Sequence, residues 1–212
     1  WTPRMVWGVE DIVKCPGKEE MFRFLEDIVR EVVPLFPGKY FHIGGDECPK
    51  TSWKNCPNCQ KRIEAEGLQS DGKHSAEERL QSYVITRMEK MLAKYDRKII
   101  GWDEILEGGL SPEATVMSWR GTSGGISAAL QKHDVIMTPG SGGLYLDHYQ
   151  GDYKIEPVTI PSVPAYLSRT YNYEPVPDTI KSLGLEKHIL GVQCNNWAEY
   201  MYTNAKMEYQ MY

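Results

Sequence analysis

"FHIGGDECPK", residues 41–50, drives a short apolar run into two glycines and then into two adjacent carboxylates, Asp46 and Glu47. With the residues before it, "KYFHI" (39–43) reads as a short strand that Gly44-Gly45 bring to a stop. Adjacent like charges repel, and each resists ionisation beside the other. Two carboxylates at the end of a strand are therefore either a solvated surface turn or a reactive pair. In a regular strand neighbouring side chains face opposite ways. Past two glycines the backbone is free to turn, and both carboxylates can reach one pocket.

Upstream, Pro16-Gly17 open a helix in which Met21, Leu25, Ile28 and Val32 share one face, with Phe22 and Val29 beside them, and Pro34 ends it. Downstream, a second helix is predicted from about Trp53 to Gly67. A third starts at Ser75, where Ser75 and Glu78 form a capping box, and carries the stripe Leu80, Val84, Met88, Met91 and Leu92. Four more strands follow: "KIIGW" (98–102), "ATVMSW" (114–119), "DVIMT" (134–138) and "HILGVQ" (188–193). A short helix around Gly124 to Gln131 separates the second and third of these. Residues 139–176 carry no periodicity and read as a long loop. Asp178 is expected to cap a short helix ending near Gly184, and Thr203 or Asn204 the final one. With no repeat and no low-complexity linker, residues 1–212 read as a single domain.

Strands alternating with helices imply an α/β protein with a parallel sheet, either doubly wound or closed as a (β/α)8 TIM barrel. No glycine-rich phosphate loop follows a strand, which weighs against the nucleotide-binding version. Each strand is instead followed by polar or aromatic residues: Asp46-Glu47, Trp102-Asp103-Glu104, Trp119-Arg120, Tyr145 with Asp147, and Trp197 with Glu199. Barrel active sites are built on that carboxyl-end rim. Against the eight strands of a full barrel, the sequence predicts a partial one, the later strands, with about three βα units missing at the N-terminal side. A start at Trp1 and an end at Tyr212 inside a predicted helix fit a piece of a longer protein.

The net charge of −5 without a basic run argues against nucleic acid and anionic membrane as partners. No apolar stretch approaches the ~20 residues of a membrane-spanning helix. Six Trp and 13 Tyr, several beside acidic residues, suit sugars, whose C–H faces stack on aromatic rings while their hydroxyls take hydrogen bonds. A glycosidase needs a carboxylic acid to protonate the departing oxygen and a second group to stabilise the cationic centre. Glu47 can do the first and Asp46 the second.

"HIGGDE" (42–47), followed in order by "GWDEIL" (101–106), "SWRG" (118–121), "YLD" (145–147) and "NWAEY" (196–200), resembles the glycoside hydrolase family 20 β-N-acetylhexosaminidases. The resemblance runs over essentially the whole chain. It implies a retaining exo-hydrolase that removes terminal β-linked GlcNAc or GalNAc, with the sugar's own 2-acetamido oxygen as nucleophile, an exception to the two-carboxylate scheme. It implies Glu47 as general acid and then base, and Asp46 as the group orienting the acetamido nitrogen. It implies Tyr145 as hydrogen-bond donor to the acetamido oxygen, Trp102, Trp119 and Trp197 as pocket walls, and Asp147 and Glu199 as partners of sugar hydroxyls. An arginine that grips the sugar and an Asp/His pair that tunes the acid come from earlier strands in that family, and Arg120 does not replace that arginine. No cofactor is implied.

His42 is expected to be a buried, hydrogen-bonded structural histidine. Asp103 and Glu104 are left without a role. Cys15, Cys48, Cys56 and Cys59 surround the carboxylate loop, with Cys194 apart. Disulfides or free thiols are favoured there over a structural zinc at Cys48, Cys56 and Cys59, since one C-x-x-C pair is a weak zinc signal. The remaining alternatives are a sugar-binding fragment without catalysis, a zinc-dependent barrel hydrolase, and a two-carboxylate glycosidase with Glu199 as nucleophile. The expected partner is a glycan or glycoconjugate, the expected location is outside the cytoplasm, and a truncated sheet edge invites self-association.

Overall fold

The structure is a computed structural model in which Val9 and residues 11–212 are described. They form two compact units, one ending at Ala114 and one running from Thr115 to Tyr212. Each is an α/β unit built on parallel strands.

In the first unit, α1 (Glu19–Val32) buries Phe22 and Val29, while Ile28 is exposed. The buried line thus lies to one side of the predicted stripe. Phe22 explains the choice. Its ring meets the Tyr83 ring edge-on at 6.0 Å and lies under the Arg87 guanidinium at 4.0 Å, both on the helix against which α1 packs. Pro34 ends α1 as predicted, inside a 3-10 turn, Val33–Leu35. β1 (Tyr40–His42) follows.

The single helix predicted from Trp53 to Gly67 is two helices, α2 (Thr51–Lys54) and α3 (Pro57–Ala65). Cys56 between them is extended, and Pro57 occupies the first turn of α3, where its missing N–H costs nothing. α4 (Ala76–Ala93) starts on the predicted capping box: Glu78 N–H donates to Ser75 Oγ at 3.2 Å, and Ser75 N–H to Glu78 Oε2 at 2.6 Å. Its buried residues include Leu80, Gln81, Ile85, Met91 and Leu92. Val84 and Met88 are only half-buried, because they line a cavity of about 390 Å³ behind the loop that carries Asp46 and Glu47.

β2 (Lys98–Trp102) pairs in parallel with β1, setting Tyr40, Phe41 and His42 opposite Lys98, Ile99 and Ile100. Beyond the ladder, Trp102 N–H still reaches the Gly44 carbonyl at 2.9 Å. A 3-10 turn, Asp103–Leu106, then swings the fully buried Ile105 into a notch. A β carbon on Gly45 or on Gly101 would stand 2.6 Å from Ile105 Cγ2, so both positions must lack one.

The second unit holds β3 (Thr115–Ser118), α5 (Ser123–Leu130) and β4 (Val135–Met137). The stretch 139–176 is loop, as predicted, except for a 3-10 turn at Gly140–Gly142 and the short α6 (Leu167–Tyr171). α7 (Asp178–Ser182) begins with Asp178 as its first residue; Pro177, not Asp178, is the capping position, and no side chain caps it. β5 (Ile189–Val192) pairs with β4, and β4 with β3, all parallel, with an irregularity between Val135 and Ile136. α8 (Asn204–Met211) is capped by Thr203, whose hydroxyl accepts the Lys206 N–H at 3.2 Å. It docks through the buried Gln210, which donates to Thr159 Oγ1 at 3.0 Å. Among the described residues, no helix is long and apolar enough to cross a membrane.

The glycine notch yields a quantitative expectation. Gly101→Ala overpacks Ile105 and should cost about 1–3 kcal/mol. In a double-mutant cycle with Ile105→Ala, urea unfolding should return a coupling of about 0.5–3 kcal/mol, since the smaller side chain makes room for the new methyl. Additive effects would mean that the two sites do not share that space.

Candidate active site

The loop after β1 bends through the left-handed region three times in four residues, at Gly44 (φ 73°), Gly45 (φ 93°) and Glu47 (φ 44°). Glycine takes such angles freely, whereas a glutamate there is strained, a condition that persists only where the surroundings impose it. Asp46 and Glu47 are both exposed. The turn folds the Asp46 carboxylate back toward Gly44, whose missing β carbon would lie 3.4 Å from Asp46 Oδ1.

His42 is hydrogen-bonded as expected but not buried: the residue is exposed, with one ring face covered by Trp102 at 4.8 Å between centroids. Its Nδ1 accepts the Gly44 N–H at 3.0 Å, which puts the proton of the neutral ring on Nε2. Partial desolvation lowers the His42 pKa, and the Asp46 charge pulls the other way. Trp102 itself is buried. Asp103 and Glu104 are buried too, in the 3-10 turn that carries Ile105.

The back of the loop is tied down by residues that sequence reasoning missed. Lys50 Nζ donates to Glu107 Oε2 at 2.8 Å and to Gln81 Oε1 at 2.5 Å, and Gln81 Nε2 donates to the Glu104 carbonyl at 2.8 Å. These partners are 57, 31 and 23 residues apart, so no local pattern could have announced them.

In the second unit the segment around Tyr145 runs alongside that around Asn195. Leu146 N–H donates to the Asn195 carbonyl, and Asn195 N–H to the Leu144 carbonyl, each at 2.8 Å. This bridge brings the "YLD" and "NWAEY" motifs together. Asn195 is buried, with its Nδ2 donating to Thr138 Oγ1 at 2.9 Å and its Oδ1 accepting from Gln193 Nε2 at 2.9 Å. The Tyr145 ring lies over Gly140 and meets the His148 ring at 5.4 Å. Trp119, just past β3, is half-buried, while Trp197 and Glu199 are exposed.

Asp147 is the electrostatic oddity. It is 2% exposed, and neither carboxylate oxygen closes a hydrogen bond of ordinary geometry among the described residues. Burial raises its pKa. The backbone N–H groups of Trp197 and of Asp147 itself face the carboxylate closely enough to oppose that rise, and His148 does the same, while Glu199 adds to it. A buried acceptor without a donor is costly unless something supplies one. In the same unit, Tyr173 was not foreseen: its hydroxyl is buried without a partner among the described residues, and burial pushes its pKa up to about 12, with Glu174 adding to the effect.

All five cysteines are unbridged. The zinc arrangement considered from sequence, Cys48 with Cys56 and Cys59, is not the one that forms: the sulfurs that gather are those of Cys15, Cys56 and Cys59.

Exposed, adjacent carboxylates at the carboxyl end of a parallel strand are groups of the kind a glycosidase employs. Comparison with known proteins gives that class its family. The catalytic-domain model of glycosyl hydrolase family 20 matches residues 1–212, and the chain belongs to that family. A β-hexosaminidase of Porphyromonas gingivalis is 58% identical over the whole of this chain, which covers 26% of that protein. One from Vibrio furnissii is 33% identical over 99% of this chain, covering 33% of its own length. The chain therefore spans about a quarter to a third of these relatives. Among solved structures, a Vibrio harveyi family 20 exo-β-N-acetylglucosaminidase in complex with N-acetylglucosamine superposes with a TM-score of 0.81 at 28% identity, over 93% of this chain and 30% of that one.

The raised pKa of Asp147 has a signed consequence. A carboxyl group that ionises less readily in the fold than in the unfolded chain opposes folding above its unfolded pKa, about 4. That penalty is absent below this value and grows until pH passes the folded pKa. Asp147→Asn should therefore gain stability over the parent at pH 7 and none from this source at pH 3. Urea midpoints at the two pH values check it, and an advantage independent of pH would contradict it.

Proposed function

We propose that this chain is a single domain, the later part of the (β/α)8 catalytic barrel of an exo-acting β-N-acetylhexosaminidase, lacking about three N-terminal βα units. The parent enzyme removes terminal β-linked GlcNAc or GalNAc from glycans or glycoconjugates with retention, using the 2-acetamido group as nucleophile. Glu47 protonates the departing oxygen and then activates water. Asp46 orients the acetamido nitrogen and offsets the charge of the cyclic intermediate. Tyr145 donates to the acetamido oxygen, Trp102, Trp119 and Trp197 wall the sugar, and Asp147 and Glu199 take its hydroxyls. An internal nucleophile needs positioning more than activation, which suits a site rich in rings and fixed acceptors. No metal takes part in these steps.

The observation that carries this reading is the Asp46-Glu47 turn. Two glycines at positive φ and a strained Glu47 present two adjacent carboxylates at the carboxyl end of a strand, in a chain whose whole length belongs to family 20. The Asp147 oxygens close no hydrogen bond of ordinary geometry among the described residues, which supports the binding role, since a sugar hydroxyl can donate to them. Membership of family 20 is consistent with an exported parent protein. Exposed apolar side chains on β1 (Tyr40) and β5 (Leu190, Val192) favour self-association of the chain, and sedimentation as a strict monomer would refute that part.

Nitrophenol release from the β-N-acetylglucosaminide and from the plain β-glucoside tests the mechanism. Turnover of the first alone is expected, and equal turnover of both would overturn acetamido participation. Glu47→Gln should lower kcat by about 10²- to 10⁴-fold, the usual worth of a general acid–base group, while binding of N-acetylglucosamine persists.

A further inference from the structure

Cys15 and the Cys56-Pro57-Asn58-Cys59 turn are some forty residues apart, yet their three sulfurs all lie within 4.8 Å of one another. Cys15 Sγ stands 3.5 Å from Cys56 Sγ and 3.5 Å from Cys59 Sγ. Two bonds of about 2.3 Å meeting at a tetrahedral zinc hold their sulfurs about 3.8 Å apart. The trio is spaced as joint ligands of one ion. A disulfide would draw Cys15 to one partner at about 2.05 Å and strand the third thiol.

The backbone gathers the sulfurs at the start of α3. Cys56 is the capping residue of α3, so its sulfur stands at the start of the helix whose first turn carries Cys59. Gly17 is required for the approach, because a β carbon there would lie 2.2 Å from the Asn58 carbonyl carbon. The next-door residue is pinned as well, with Trp53 Nε1 donating to the Lys14 carbonyl at 2.9 Å. Cys59 is fully buried against Trp53, Ile63 and Leu80, and Cys15 and Cys56 are half-buried at the mouth, where solvent has access.

We propose that Cys15, Cys56 and Cys59 form a structural site for one zinc ion, with a solvent molecule completing the tetrahedron. Binding releases the thiol protons to solvent, and the binding energy becomes folding energy. The ion staples the segment before α1 to the helices that follow Glu47. It takes no part in hydrolysis, so it stands or falls apart from the proposed activity.

The chain purified without added metal should carry about one zinc by inductively coupled plasma mass spectrometry. Cobalt titration of the metal-stripped wild-type chain should give the near-ultraviolet sulfur-to-cobalt charge-transfer band of thiolate ligation, a readout that needs no variant. Cys15→Ser, at a half-buried position, should lower the zinc content several-fold with its circular dichroism intact, and Cys194→Ser should leave it unchanged. Negligible zinc together with no cobalt band would overturn the site. So would a Cys15–Cys56 or Cys15–Cys59 disulfide found by non-reducing peptide mapping, or full zinc retention in both Cys15→Ser and Cys59→Ser.

Discussion

Ile105 fills a space that a side chain at either Gly45 or Gly101 would claim, and the first unit is arranged around that fact. Without a β carbon at Gly101, β2 can pass close to the turn that leaves β1. Without one at Gly45, the turn can take the left-handed angles that reverse the chain before Asp46 and Glu47. The 3-10 turn that delivers Ile105 is held by Gln81, whose amide binds the Glu104 carbonyl, and Gln81 also receives Lys50 from the carboxylate loop. Steric fit on one side and buried hydrogen bonds on the other thus grip the same few residues. The two carboxylates themselves are left to solvent.

The second unit handles its carboxylate the opposite way. Asp46 and Glu47 are exposed and carry their tension in the backbone, at Glu47 φ 44°. Asp147 is buried, closes no hydrogen bond of ordinary geometry among the described residues, and carries its tension as desolvation. Both arrangements cost stability in the absence of a ligand, and costs of that kind concentrate where a protein acts. The Tyr145–Asn195 bridge makes the second arrangement tenable, because Asn195 is locked by Thr138 and Gln193 and holds the Asp147 segment in register.

Much of this was legible in the residues. All five strands lie where short apolar runs end in glycine or polar clusters, and the Ser75–Glu78 capping box is present atom for atom. Those signals are local, written within a few residues of where they act. The losses came where partners are remote. The stripe on α1 rotated because Phe22 found Tyr83 and Arg87, and α4 left Val84 and Met88 half-buried at a cavity. The break between α2 and α3 is visible in Pro57, which belongs in the first turn of a helix and not inside a continuous one. Lys50, Gln81 and Glu107 are ordinary surface types in ordinary places until the fold joins them. Cys15 is the sharpest case: in the sequence it sits apart from the Cys56–Cys59 pair, and in the fold it lies at 3.5 Å from both.

That convergence bears on how the carboxylate loop keeps its shape. α2 has four residues and α3 nine, too few for either helix to be stable by itself in water. Between Glu47 and α4 the chain therefore depends on tertiary anchors, and the apolar ones are few: Trp53, Cys59 and Ile63 against Leu80. A general acid misplaced by about 1 Å loses on the order of 100-fold in rate, so this stretch has to be firm as well as folded. The Lys50 ion pair with Glu107 fixes its near end, three residues from Glu47. The three sulfurs fix its far end, where the segment before α1 crosses α3 at the closest backbone approach that Gly17 allows. Removing either anchor leaves the short helices resting on the other and on a single small apolar cluster, so the turn at Glu47 is rigid only as far as both ends of the stretch behind it are held.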